Sequence, residues 1–170
     1  MKTDCIYLRK IRESDLENVF KGLSHLDIIK YYGISFDSLE ATKEQMTWFA
    51  DLEKNNTGIW WAVCAVKDDT FLGAGGLNDL CKETKKAELG FWLLQENWGK
   101  GIMIEAMPLI IKYSFNNLGL KRLEGLVETK NRNCIKALKK LNFNLENTRV
   151  DCEVKNGKKI SLDVYTKLNG

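Results

Sequence analysis

Residues 87–106 read Ala-Glu-Leu-Gly-Phe-Trp-Leu-Leu-Gln-Glu-Asn-Trp-Gly-Lys-Gly-Ile-Met-Ile-Glu-Ala. The stretch divides into a short apolar strand, a turn holding Gly99 and Gly101, and the start of a helix. Glycines at a helix start let the backbone approach a ligand closely. The first N–H groups of the helix have no carbonyl partner within it, and they point the same way as the positive end of the helix dipole. Such a turn suits a phosphate. Spacing removes two common phosphate readers. The pattern Gly-x-x-x-x-Gly-Lys-Ser/Thr is absent, and a dinucleotide fingerprint would need glycine where Ile104 stands. Gly73-Ala74-Gly75-Gly76 also fails, because it lies in a strand with no helix after it.

Working outward, Ile59 to Val66, Phe71 to Leu77 and Ala87 to Leu94 read as three consecutive antiparallel strands, joined by the polar turns at Lys67-Asp68-Asp69 and Lys82 to Lys86. Gly73, Gly75 and Gly76 inside the second strand predict a bulge or a close backbone approach. Trp60 and Trp61 must point to opposite faces of their strand, so at most one can line a pocket. Upstream, Cys5 to Arg9 reads as a strand. Ser14 to Glu17 and Thr42 to Gln45 have capping-box spacing and predict two helix starts. Segment 24–36 is mixed and carries Tyr31 and Tyr32. Downstream, the helix after Gly101 contains Pro108, the single proline, which should bend it. Leu123 to Glu128 is a strand, Asn131 caps a further helix, and Asn156-Gly157 joins a closing hairpin over Phe143 to Leu168. Crossover helices require parallel pairing and the hairpins require antiparallel pairing, so the fold class is α/β (α+β) with a mixed sheet of about seven strands and about four helices in one domain over residues 1–170.

Composition narrows the function classes. A chain of 170 residues with 44% hydrophobic and 29% charged residues fits one globular core. A net charge of +3, with short basic runs, argues against nucleic acid as partner. Five cysteines without Cys-x-x-Cys spacing and a single histidine, His25, argue against a metal site or a disulfide framework. Cys64 alternates with apolar residues and reads as core. The absence of an apolar leader, or of a run of about eighteen apolar residues, predicts a cytoplasmic protein without a membrane partner.

Several segments, taken in order, make the chain resemble the GNAT superfamily of acyl-CoA-dependent N-acetyltransferases, and within it the RimJ/RimL-type group that includes ribosomal-protein N-terminal acetyltransferases. These are Ala87 to Leu93; Trp98-Gly99-Lys100-Gly101 with Glu105-Ala106; Tyr113 to Arg122; Asn131 to Cys134 with Leu138 to Phe143; and Asn156-Gly157 with Leu162 to Tyr165. The resemblance implies a fourth strand that splays from the fifth, leaving a V-shaped cleft for acetyl-CoA. It implies that the pantetheine arm lies along Phe91, Leu93 and Leu94. The pyrophosphate would rest on Trp98, Gly99, Lys100, Gly101, Ile102 and Met103, with Asn131 nearby. The usual first loop residue, Gln or Arg, is Glu96 here; a carboxylate beside a diphosphate is unhelpful, so Glu96 should face solvent. The adjacent Gln95 could substitute.

Acyl transfer from a thioester to an amine needs a base for the ammonium, a donor for the oxyanion and a proton for the thiolate. The resemblance implies that the Asn-x-x-Ser motif falls on Asn131 and Cys134, so that Cys134 would protonate the leaving thiolate. Glu88 on the fourth strand, then Glu153 and Asp151 before the last turn, compete as base. A backbone N–H at a strand bulge near Leu93 would serve the oxyanion. The acceptor pocket should draw on segment 24–36, Trp60 or Trp61, Asn78 and the last hairpin. The acceptor is expected to be a protein N-terminal α-amine or a small amine, and the protein a monomer or homodimer.

Overall fold

The computed structural model describes residues 1–170. A seven-stranded sheet runs in the order β1-β2-β3-β4-β5-β7-β6, with β1 Ile6–Lys10, β2 Ile59–Ala65, β3 Phe71–Cys81, β4 Lys86–Leu93, β5 Arg122–Glu128, β6 Asn144–Lys155 and β7 Lys158–Leu168. Helices α1 Leu16–Leu23, α2 Leu26–Ile29 and α3 Leu39–Lys54 cover one face; α4 Ile102–Asn116 and α5 Arg132–Lys140 cover the other. The extra helix relative to the expected four is the short α2, too brief to show a period within segment 24–36. All strand pairs are antiparallel except β4 with β5.

Alternation along β2 distributes its two tryptophans as expected. Trp60 enters the layer with Val19, Leu23 and Phe49, whereas Trp61 enters the layer with Met107 and Ile110 and meets Tyr113 edge-on. Cys64 is fully buried. Each large apolar side chain removed from water in this way stabilises the fold by about 1.5–3 kcal/mol. The β3 glycines answer to close approach. A Cβ on Gly73 would overlap the backbone of β4, and one on Gly76 would sit 2.5 Å from the Trp60 ring. The pairing of β3 also shifts register, at Leu72 beside Gly73 against β2 and between Asn78 and Cys81 against β4.

Two helix starts differ from the sequence reading. The chain enters α1 through a 3₁₀ turn at Glu13–Asp15, and Ser14 caps nothing. The buried Asp15 carboxylate accepts the Arg12 N–H at 2.8 Å and pairs with both guanidinium nitrogens of Arg9 at 2.8 Å. That bidentate pair ties β1 to the helix entry more strongly than a serine cap could. Helix α3 begins at Leu39, because Ser38 accepts the Ala41 N–H at 3.1 Å; the Thr42 hydroxyl is turned back onto the Ser38 carbonyl at 2.8 Å. Helix α4 runs through Pro108 without interruption. No helix is long and apolar enough to cross a membrane.

Candidate active site

Strands β4 and β5 pair only through Lys86–Arg122, Ala87–Leu123 and Glu88–Glu124. Beyond these residues each strand stays with its other neighbour, β4 with β3 and β5 with β7, and the two part. The sheet therefore forks at Glu88. Ligand sites in α/β sheets form at such carboxyl ends of strands. The Leu94 N–H is bonded to the Leu72 carbonyl at 3.0 Å, so alternation turns the N–H groups of Phe91 and Leu93 towards the open side. The Leu93 carbonyl there accepts the Trp98 indole N–H at 3.0 Å. No bulge is needed to expose the Leu93 N–H, because the fork itself removes its partner strand.

A cleft of about 720 Å³ follows this open edge to the Gly99 turn; its walls include Phe91, Leu93, Trp98, Met103, Asn131 and Cys134. Gly99 and Gly101 have φ of 73° and 76°, a conformation that costs other residues energy. A Cβ at either would meet no atom within 4 Å, so the space above the turn is open to a ligand. The first helical bond runs from the Glu105 N–H to the Gly101 carbonyl. It leaves the N–H groups of Ile102, Met103 and Ile104 without helical acceptors. This donor set fits a diphosphate, and Lys130 and Arg132 on the facing wall add positive charge. Lys100 is exposed, Ile102 and Leu94 are buried in the two core layers, and none of the three lines the cleft wall. Glu96 points outward and pairs with Lys21. Gln95 is committed to Asp27, to which it donates at 2.9 Å.

A second cavity of about 270 Å³ abuts the cleft at the fork, sharing Tyr31, Tyr32, Phe91, Asn131 and Cys134. Glu88 lies in its wall. Burial pushes the Glu88 carboxyl up to about 7, with Asp79 and Glu124 adding to the shift, while a hydrogen bond from Asn78 and the Arg149 charge pull the other way. Asn78 faces Glu88 directly across β3 and β4. Its Oδ1 accepts the Trp60 indole N–H at 3.3 Å, which turns its NH₂ group to Glu88. Burial pushes the Cys134 thiol up to about 12, so it stays protonated and is less acidic than the sequence alone suggested. Asn131 caps α5 by accepting the Cys134 N–H at 3.2 Å, which holds Cys134 at the junction of both cavities.

Glu153 and Asp151 are exposed on the edge strand β6 and line neither cavity. The β6–β7 pairing shifts register between Arg149 and Glu153. Two contributors were not legible in the chain. Trp48, from α3, enters the wall of the second cavity. Lys155, at the tip of the last hairpin, donates to the Lys30 carbonyl at 2.6 Å and to Glu128 at 2.7 Å, tying the hairpin to segment 24–36 and to β5. Nothing in a one-dimensional pattern signals a bond spanning 125 positions.

This geometry agrees with comparison to known proteins. Residues 6–144 match the family described as the acetyltransferase (GNAT) domain, and the chain belongs to that family; it is an acyltransferase. The uncharacterized N-acetyltransferase YoaA of Bacillus subtilis (strain 168) is 28% identical over 98% of this chain and 94% of its own length. Among solved structures, spermidine N-acetyltransferase from Vibrio cholerae in complex with CoA and spermine superposes with a TM-score of 0.86 at 19% identity, covering 96% of this chain and 95% of that one. The ribosomal L7/L12 α-N-protein acetyltransferase RimL, in a complex carrying a disulfide between coenzyme A and a cysteine, gives 0.88 at 17% identity, covering 98% and 95%. At these identities the two structures establish the fold.

Proposed function

We propose that the protein transfers the acetyl group of acetyl-CoA directly to a primary amine, and that Glu88 accepts the amine's proton. The observation that carries this reading is the fork. It sets an open backbone edge and the free N–H groups of the Gly99 turn along one cleft, with the half-buried Glu88 carboxyl in the cavity that abuts it. The thioester would lie between Leu93 and Cys134. The substrate ammonium loses a proton to Glu88, directly or through one water, and the freed nitrogen pair attacks the acetyl carbonyl carbon. The Leu93 N–H stabilises the oxyanion. The carbon–sulfur bond then breaks, and the departing thiolate takes a hydrogen bond from the Cys134 thiol. Full proton transfer from Cys134 would run uphill, since a free thiol has a pKa of about 8.5, so the thiolate collects its proton from the amine by way of solvent. Asn131 and Cys134 at the head of α5 support grouping with RimJ/RimL-type enzymes. Both a protein N-terminal α-amine and a small amine supply the required nucleophile.

The test is thiol release from acetyl-CoA across a panel of amines and N-terminal peptides. Release above background with at least one acceptor, abolished by Gly101→Glu, is the expected result. Tight CoA binding with no active acceptor would retire the reaction and leave a sensor of acyl-CoA.

A further inference from the structure

We infer that the pocket at the fork takes a compact monoamine whose body is an aromatic or branched hydrocarbon, in preference to a polyamine. This rests on the acyl-transfer reading and names its acceptor class. Tyr31, Tyr32, Trp48, Trp60 and Phe91 form much of the wall, and Glu88 is the one charged side chain in it. The wall is built rather than incidental. Trp60 lies over the two strand glycines Gly76 and Gly90, and a Cβ on Gly90 would come within 2.7 Å of the indole. Trp48 and Phe49 pack against the ring, with centroids at 6.0 and 5.6 Å. A wall of fixed aromatic side chains favours a flat or branched apolar partner.

Several polar groups of the pocket are committed to one another. The Trp60 N–H is bonded to Asn78, Asn78 serves Glu88, and the Asn131 oxygen is bonded to the Cys134 N–H. Glu88 is the one carboxylate in the wall, so it can neutralise one ammonium. Asp79, next along β3, is exposed and outside the wall. A polyamine would bring further ammonium groups out of water with no second carboxylate in the wall. That penalty is large against the modest gain from the pocket. A single amine on a hydrocarbon body avoids it and buries apolar surface against the rings.

The experiment compares 2-phenylethylamine, isoamylamine and spermidine by thiol release. In parallel, calorimetric titration follows each amine into the CoA-loaded protein. The expected result is a kcat/KM for 2-phenylethylamine about tenfold or more above that of spermidine. Trp48→Ala should raise the KM for 2-phenylethylamine about tenfold, while the Kd for CoA, which checks that the variant is folded, stays unchanged. Trp48→Leu should fall between. Equal or better turnover of spermidine overturns the inference, as does an unchanged KM in a folded Trp48→Ala. If no amine is turned over, the acyl-transfer reading falls. The pocket assignment then stands if 2-phenylethylamine still binds in preference to spermidine, and fails if it does not.

Discussion

The two ends of the cleft are made of different material. The donor end is backbone: two glycines at positive φ and the free N–H groups of one helix, all within residues 99–104. The acceptor end is side chains: Glu88 from β4, Asn78 from β3, Trp60 from β2, Trp48 from α3 and the tyrosines after α2. A backbone cradle recognises a phosphate whatever the neighbouring side chains are. A side-chain pocket can be refitted one residue at a time.

Substitutions should separate the two ends. The largest effect is expected from Glu88→Gln, which removes the proton acceptor and should lower kcat by roughly 10²- to 10³-fold without changing CoA affinity; a weakened Kd for CoA would break the proposed separation. In the parent protein kcat/KM should fall as pH drops through about 7, because Glu88 becomes protonated there. The same group has a stability signature. Its folded pKa lies above the unfolded value, so the folded state binds the extra proton between about 4.5 and about 7, and stability declines as pH rises through that window. Denaturant melts of Glu88→Gln should therefore show a gain over the parent at pH 8 that vanishes below pH 4.

At the opposite end, Gly101→Glu forces a side chain into a left-handed position and places a carboxylate against the phosphate. CoA affinity should drop about a hundredfold by calorimetry. Cys134→Ala should lower kcat about tenfold while Cys134→Ser retains most activity, since the role needs a hydrogen-bond donor and not a thiol; equal activity in all three proteins would remove Cys134 from the reaction. The smallest effect is expected from Trp60→Phe. Without the indole N–H, Asn78 is free to turn its amide, Glu88 loses a donor, and the acidic limb of the pH profile should move up by at most about one unit. An unmoved limb would reduce Trp60 to a wall.

The legible features were those whose cause is local. Gly99 and Gly101 signal φ angles that other residues avoid, Asn131 signals a helix start, Asn156-Gly157 signals a two-residue turn, and strand alternation sends Trp60 and Trp61 to opposite faces. Local chemistry also misled. Ser14 and Thr42 satisfy a capping pattern, yet the Arg9–Asp15 pair and Ser38 set the actual helix starts. Glu88 and Glu153 look alike as carboxylates on alternating strands. One is half-buried at the fork and the other is exposed on the edge strand, and that difference comes from which strands pair and where they stop pairing.

By itself, then, the amino-acid order determined the elements, the mixed sheet and the phosphate-ready turn, because dihedral preference, capping and period act over a few residues. Tertiary structure decided which carboxylate meets the cleft, that Trp48 and the tyrosines close around it, and that Lys155 reaches Lys30 and Glu128. Those outcomes depend on distant segments converging at the fork, where burial of a common core places side chains that no local pattern could bring together.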